Sequence, residues 1–210
     1  MSNIDTLTGN PPPTTIDFNN PPSNPLLLLQ AWLKKADELN ISEPRSLVLA
    51  TVDQHNRPST RVILLKECTD TGVIFGTSQA SRKGQELESN PSAAGNLWWR
   101  ETIQQINFQG RVVKLPADVS DAAFQARPRD GQALSYFSQQ SDIMRDEASL
   151  KKQVQQLMNS ADKIARPERW HAYHLIIESI EFWQGSQDRF HKRLRYDLLN
   201  GAWQHQTLQP

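Results

Sequence analysis

The sequence predicts an α+β domain whose antiparallel sheet closes into a barrel, and three observations carry that prediction. Apolar and β-branched residues alternate with a period of two over 46–77, again over 94–115 and again over 173–208. Helical spacing intervenes at 25–36 and across most of 117–160. The segments between neighbouring strands are short turns, too short for the crossover helices of a parallel sheet. Strands, helices and strands again make an α+β chain, and closure into a barrel removes the exposed edges of such a sheet.

Residues 1–23 read as a flexible tail. Pro11, Pro12, Pro13, Pro21 and Pro22 sit among Asn, Thr and Ser, with little apolar surface to repay ordering. The remainder, 24–210, reads as one domain. Asn24 is placed to cap a first helix, Pro25 suits its first position, and Leu26, Leu29, Trp32, Leu33 and Ala36 form its apolar face before Asn40 ends it. Strands are expected at Ser46–Val52, Ser59–Glu67 and Gly72–Thr77, joined as an antiparallel meander by turns at His55-Asn56-Arg57-Pro58 and Thr69-Asp70-Thr71-Gly72. A short helix over Ser81–Ser89 precedes strands at Ala94–Trp99 and Ile103–Leu115. Helices follow at Ala117–Ala126 and Glu147–Met158, with a break at Arg127-Pro128. Strands at Tyr173–Trp183, Arg189–Tyr196 and Ala202–Leu208 close the chain, the last two joined at Asn200-Gly201.

Composition narrows the function. The 210 residues carry 23 basic and 23 acidic side chains, and this neutrality argues against a protein that coats nucleic acid or an anionic membrane. The longest early apolar run, Leu26–Leu29, is far short of a membrane span, and no basic segment precedes a long apolar one at the start; the expected setting is cytoplasmic. The single cysteine, Cys68, excludes an internal disulfide framework and a cysteine zinc cluster. Mean hydropathy is −0.62 although charged residues are an ordinary 22%, because Gln and Asn are abundant. Low apolar content implies that part of the chain is not core, or that something other than its own side chains fills part of the interior.

Neutrality conceals three local concentrations of cations. Ser81 is a good helix N-cap, yet Arg82 and Lys83 then fall in the first turn, where the helix dipole is already positive. A bound phosphate would resolve that conflict, whereas side chains turned to solvent would tolerate it at a few tenths of a kcal/mol each. In the strand Arg61-Val62-Ile63-Leu64-Leu65-Lys66, alternation places Arg61 and Lys66 on opposite faces: they are the strand's solvated ends, or a shared ligand wraps around the strand end, or a bulge shifts the register. In Arg189-Phe190-His191-Lys192-Arg193-Leu194-Arg195, alternation puts residues 189, 191, 193 and 195 on one face. That is either a charged edge that resists aggregation or a surface for anions.

Other signals fail. There is no G-x-G-x-x-G after a strand and no P-loop. His171 and His174 have no third ligand placed with them, so no metal is expected, and Cys68 has no partner that would make it a nucleophile. The Trp98-Trp99 pair reads as core or subunit interface.

Taken in order, these strings resemble the FMN-dependent pyridoxamine 5'-phosphate oxidase family. The matching segments are Arg61–Lys66, Thr77 with Ser81-Arg82-Lys83, Gln105 before Gly110, Arg127-Pro128-Arg129-Asp130, Gln139-Gln140-Ser141, Glu181-Phe182-Trp183-Gln184-Gly185 and Arg189–Arg193. The resemblance implies an FMN-binding split β-barrel homodimer. It assigns the flavin to Arg61, Val62, Ile63, Leu64, Lys66, Gly76, Thr77, Ser81, Arg82, Lys83, Gln105, Gln140, Ser141, Trp183 and Arg193, with some groups coming from the partner subunit.

Two departures redirect the substrate. The family grips a B6 phosphate with a lysine, a tyrosine, an arginine and a serine. Here those positions are Lys66, Ala123, Arg127 and Gly131, so two hydroxyl donors are missing. Each hydrogen bond to a charged group contributes about 1.5–3 kcal/mol, and their loss disfavours a phosphate monoester. Leu97–Ile106, Gly110–Pro116 and His191–Asp197 are instead similar to the flavin oxidases of bacterial phenazine biosynthesis. That likeness implies oxidation of partly reduced phenazine carboxylates, with hydride passing to flavin N5 and dioxygen reoxidising the flavin to give H2O2. Lys66, Arg127, Arg189 and His191 would bind the substrate, Arg189 pairing with a carboxylate and His191 hydrogen bonding or moving a proton. The alternatives are a pyridoxamine 5'-phosphate oxidase with a rearranged grip, and a non-catalytic flavin- or haem-binding module on the same barrel.

Overall fold

The computed structural model describes residues 9–10, 16–18 and 20–210. Helix α1 (Pro25–Glu38) starts as expected: Asn24 Oδ1 accepts the Leu26 N–H at 2.9 Å and Pro25 occupies the first turn. Its buried face, Leu26, Leu29, Trp32, Leu33 and Ala36, packs on the sheet, with the Trp32 ring 5.3 Å from Phe182 and 6.2 Å from Trp99. Each of the leucines contributes about 1.5–3 kcal/mol by leaving water, which holds α1 across the sheet.

The strands are β1 (Ser46–Val52), β2 (Pro58–Leu64), β3 (Glu67–Cys68), β4 (Gly72–Ser78), β5 (Ser92–Trp99), β6 (Gln104–Lys114), β7 (Trp170–Gln184), β8 (Lys192–Leu199) and β9 (Ala202–Leu208). All pair antiparallel. The path runs β2-β1-β5-β6-β7-β4-β3, with β8 and β9 continuing from β7. The 15-residue β7 thus serves three neighbours along its length, β6, β4 and β8.

Three expectations need correction here. The first strands are not a meander: β4 pairs with β7, and β2 and β4 approach without a ladder, so the barrel is split along that seam. The run Ser59–Glu67 is not one strand: the Leu65 N–H still follows the β1 ladder to the Arg45 carbonyl, but the Lys66 N–H turns away to the Ile74 carbonyl of β4, and β3 begins at Glu67. The last cationic run is not one strand: β8 begins only at Lys192, and Arg189 sits in a left-handed turn at φ 66°. The Asn200-Gly201 turn forms with both residues left-handed, φ 52° and 80°, the conformation that matches hairpin twist.

Helix α2 (Arg82–Ser89) follows β4 and is capped by Ser81 Oγ. Helices α3 (Ala117–Gln125), α4 (Arg129–Phe137) and α5 (Glu147–Asn159) form a second layer. Phe124, Ala133, Ile164 and Trp170 make its core. Two arginines tie it by collecting helix C-terminal carbonyls: Arg129 bonds those of Leu157, Met158 and Ser160 at the end of α5, and Arg169 bonds those of Ser135, Tyr136 and Ser138 at the end of α4. Within the N-terminal stretch, Ile16 is 5% exposed and the Pro22 carbonyl accepts the Tyr196 hydroxyl at 2.8 Å. The rest of the proposed tail, 1–8, 11–15 and 19, lies outside the described residues.

Candidate functional site

The seam between β2 and β4 holds a cavity of about 650 Å³. Its wall comes from β2 and its continuation (Arg61, Val62, Ile63, Leu64, Lys66), from β4 (Gly76, Thr77), from α2 (Arg82, Lys83), from Arg127 and Pro128 between α3 and α4, and from Gln140 and Ser141. Five cations line it and no carboxylate does. Val62 and Leu64, on the face of the strand that alternation also gives Lys66, line the cavity together with Arg61 and Ile63, so the cavity takes side chains from both faces of β2.

The α2 end is the most buried part. Lys83 Nζ donates to Thr77 Oγ1 and Gln140 Oε1, each at 3.1 Å, and touches Ser81 Oγ at 3.4 Å. Burial, with Arg61 nearby, pushes its pKa down to about 8 against the opposing pull of Glu86. The expected conflict of two cations in one helical turn is answered only in part by the protein. Arg82 Nε reaches Glu86 Oε1 at 2.8 Å, one turn along, but Lys83 meets only neutral oxygens. The Ser141 hydroxyl accepts the Arg82 N–H at 3.1 Å, bringing the 140–141 loop over the helix start.

Glu86 was not among the expected site residues, although its spacing four beyond Arg82 was readable. Its carboxylate is 5% exposed and accepts from Thr51, from Ser59 Oγ at 2.8 Å and from Arg61 Nη2 at 3.1 Å. Burial raises its pKa, but these bonds and that from Arg82 outweigh burial and hold it at about 2. Glu86 thereby anchors both Arg61 and Arg82 at the cavity wall. On the opposite side burial, with Arg127 adding to it, depresses the pKa of Lys66. Burial likewise depresses that of Arg127, against Asp130.

The remaining expected residues stand elsewhere. Trp98, Gln105, Trp183 and Arg193 are cross-strand partners in one row over β5, β6, β7 and β8, on the face away from the core. Trp98 and Trp183 lie 6.2 Å apart, and the His191 ring lies 4.7 Å from Trp183. Arg193 is bidentate to Glu181 at 2.7 and 3.1 Å. Of the tryptophan pair, Trp99 is core and Trp98 is 42% exposed on this row. The cavity and the row each hold part of the expected set, and none of Gln105, Trp183, Arg189, His191 or Arg193 lines the cavity. Ser81 sits behind it as the cap of α2.

Among the described residues no group of three or more His, Cys, Asp or Glu is placed for a metal ion. His174 Nε2 lies 2.9 Å from Thr69 Oγ1, and burial pushes the Cys68 thiol up to about 11, which leaves it unreactive. No helix of the described residues is long and apolar enough to cross a membrane.

A split antiparallel barrel with a cationic cavity in its seam defines a binder of an anionic small molecule. The pyridoxamine 5'-phosphate oxidase family model matches residues 33–160, and a pyridoxine 5'-phosphate oxidase C-terminal dimerisation region matches 170–210. The chain therefore belongs to the pyridoxamine 5'-phosphate oxidase family and is an oxidoreductase of the split-barrel type. It is 40% identical over 206 residues to the dihydrophenazinedicarboxylate synthase of Pseudomonas chlororaphis, covering 98% of this chain and 93% of that one. To the pyridoxine/pyridoxamine 5'-phosphate oxidase of Mannheimia succiniciproducens it is 37% identical over 188 residues, 89% of each chain. Its structure superimposes on PhzG from Burkholderia lata 383, solved in complex with tetrahydrophenazine-1-carboxylic acid, with TM-score 0.93 and 39% identity, covering 96% of this chain and 100% of that chain.

Proposed function

We propose that this protein is an FMN-dependent oxidase of phenazine biosynthesis that aromatises partly reduced phenazine carboxylates and works as a homodimer. The observation that carries the reading is the cavity wall of Arg61, Lys66, Arg82, Lys83 and Arg127 without a carboxylate. A dianionic phosphate and a carboxylate together would offset three of those five charges, and a cavity of about 650 Å³ is in the range that takes a cofactor. The residues fit the group: Lys83 is buried against neutral oxygens only, and the bare Gly84 backbone lies so close to the Ser78 and Gln79 carbonyls that a Cβ would stand 2.4 Å from each.

Arg61, Arg82, Lys83 and the α2 N-terminus would hold the phosphate, with Thr77, Gln140 and Ser141 beside them. The backbone and apolar side chains of 62–64 and 76 would border the ring. Bound FMN supplies a two-electron acceptor at N5, and dioxygen is the terminal oxidant, giving H2O2. The Trp98-Gln105-Trp183-Arg193 row, with Arg189 and His191, would come to the cavity from the partner subunit. This is supported by the match to a dimerisation region over 170–210. Lys66, Arg127 and Arg189 would pair with substrate carboxylates.

The test is anaerobic mixing of the yellow protein with a dihydrophenazine carboxylate and, separately, with pyridoxine 5'-phosphate, followed by peroxide release on admitting air. Rapid flavin bleaching by the phenazine supports the reading, and efficient bleaching by the B6 phosphate alone overturns it. The shared site has its own check. Mixing an inactive Lys83→Met chain with an inactive Trp183→Ala chain restores activity if the two halves come from different subunits.

A further inference from the structure

Arg127 is oriented by groups that the reading above leaves unused. Its Nη2 donates to the Gly131 carbonyl at 3.2 Å and to Ser135 Oγ at 3.1 Å, and its Cζ lies 5.3 Å from the centre of the Trp170 ring. Nε is buried without an acceptor. Gly131 and Ser135 are one turn apart on α4, so both acceptors face the same side. The guanidinium lies where a side chain at 131 would begin: a Cβ there would stand 3.3 Å from Nη2 and 3.7 Å from Nε.

We propose that Ser135 is a positioning residue that determines specificity: with Gly131 it draws the Arg127 guanidinium onto α4 and against Trp170, leaving Nη1, with Lys66, for a planar carboxylate. The proposal rests on the phenazine reading and deepens it. A carboxylate presents two oxygens in one plane and is satisfied by two donors on one side, here Arg127 Nη1 and Lys66 Nζ. A phosphate monoester presents three oxygens in a tetrahedral spread and needs donors from several directions. Here Nη2 is committed to α4 and Nε is walled in, so the far side of a phosphate would go unbonded. Trp170 holds the plane of the guanidinium through cation–π attraction while Ser135 sets its rotation.

The experiment uses flavin-loaded wild type, Ser135→Ala, Ser135→Thr and Gly131→Ser, titrated with phenazine-1-carboxylate and with pyridoxal 5'-phosphate while flavin fluorescence is followed. The expected result is a wild-type preference for the carboxylate that falls about tenfold in Ser135→Ala and is kept in Ser135→Thr, where the hydroxyl is retained. Gly131→Ser displaces the guanidinium and moves preference toward the phosphate. Flavin affinity stays unchanged in all three. The proposal is overturned if Ser135→Ala keeps the wild-type preference, or if it loses flavin along with substrate, which would mark a merely structural role. A wild type that prefers the phosphate, or binds neither probe, overturns the phenazine reading itself and this proposal with it.

Discussion

The Ser186 N–H donates to His191 Nδ1 at 3.0 Å, and that bond decides which ring nitrogen carries the proton. With Nδ1 accepting, neutral His191 is protonated at Nε2 and presents a donor beside the Trp183 face. Spacing left hydrogen bonding and proton transfer equally open for this residue, and the tautomer favours the first. Gln, whose amide can place an N–H near the Nε2 position, should preserve much of the function. His191→Gln is expected to keep KM within a few-fold, whereas His191→Ala should raise KM for an anionic substrate about tenfold or more, with flavin content unchanged. Steady-state kinetics on both variants checks this, and equal losses would mean that His191 acts as a base.

Lys83 predicts a pH dependence of cofactor affinity. Burial first, and Arg61 second, bring its pKa to about 8, so its charge is present below that pH and lost above it. A phosphate favours the charged form and raises the pKa in the complex. FMN affinity should therefore fall by up to about tenfold per pH unit above pH 8, until the pKa of the complex is reached. Riboflavin, lacking the phosphate, should show no such limb, nor should Lys83→Met with FMN. Fluorescence titration from pH 7 to 10 reads all three.

Glu86 predicts an acid-sensitive contribution to stability. Its folded pKa of about 2 lies below the ordinary glutamate value of 4.5, so the stabilisation is present above about pH 4.5 and lost as pH falls toward 2. The difference corresponds to roughly 3 kcal/mol. Urea unfolding of the flavin-free protein at fixed concentration should show wild type losing that increment relative to Glu86→Gln between pH 5 and 2.5. Parallel curves for the two proteins would contradict the assignment.

Gly84→Ala should injure the start of α2. The added Cβ would press on two backbone carbonyls that cannot swing away, so the helix N-terminus must retreat from β4. Overpacking of this kind costs about 1–3 kcal/mol. The expected outcome is a folded protein of lower Tm that retains little flavin after gel filtration. An alanine variant with wild-type flavin content would show that the close approach is not needed.

Most of the secondary structure was readable because its causes are local. Asn24 and Pro25 start α1, Ser81 caps α2, and Asn200-Gly201 takes the left-handed turn that joins β8 to β9. The cationic strings at 61–66 and 82–83 were readable too, and they do line one cavity. What failed to show were interruptions made by partners outside the strand. The Ile74 carbonyl takes the Lys66 N–H away from the β1–β2 pair, and the turn around Arg189 delays β8 until Lys192. Alternation within a strand carries no sign of either event. Glu86 was readable as the i+4 partner of Arg82, but its bonds to Thr51, Ser59 and Arg61 cross from α2 to the β1–β2 hairpin.

By itself the sequence determined where helices begin, which residues alternate, which family the chain resembles and which cations belong to its binding strings. These depend on neighbours a few residues apart, and on motifs short enough to be read as written. Only the tertiary structure decided that β4 pairs with β7 across about 100 residues, so that the barrel splits beside β2 and Lys66 joins Arg61 in one cavity. The same holds for the direction of Arg127, the tautomer of His191 and the depressed pKa of Lys83. The physical reason is common to all of them: each depends on burial and on partners brought together only when distant segments pack.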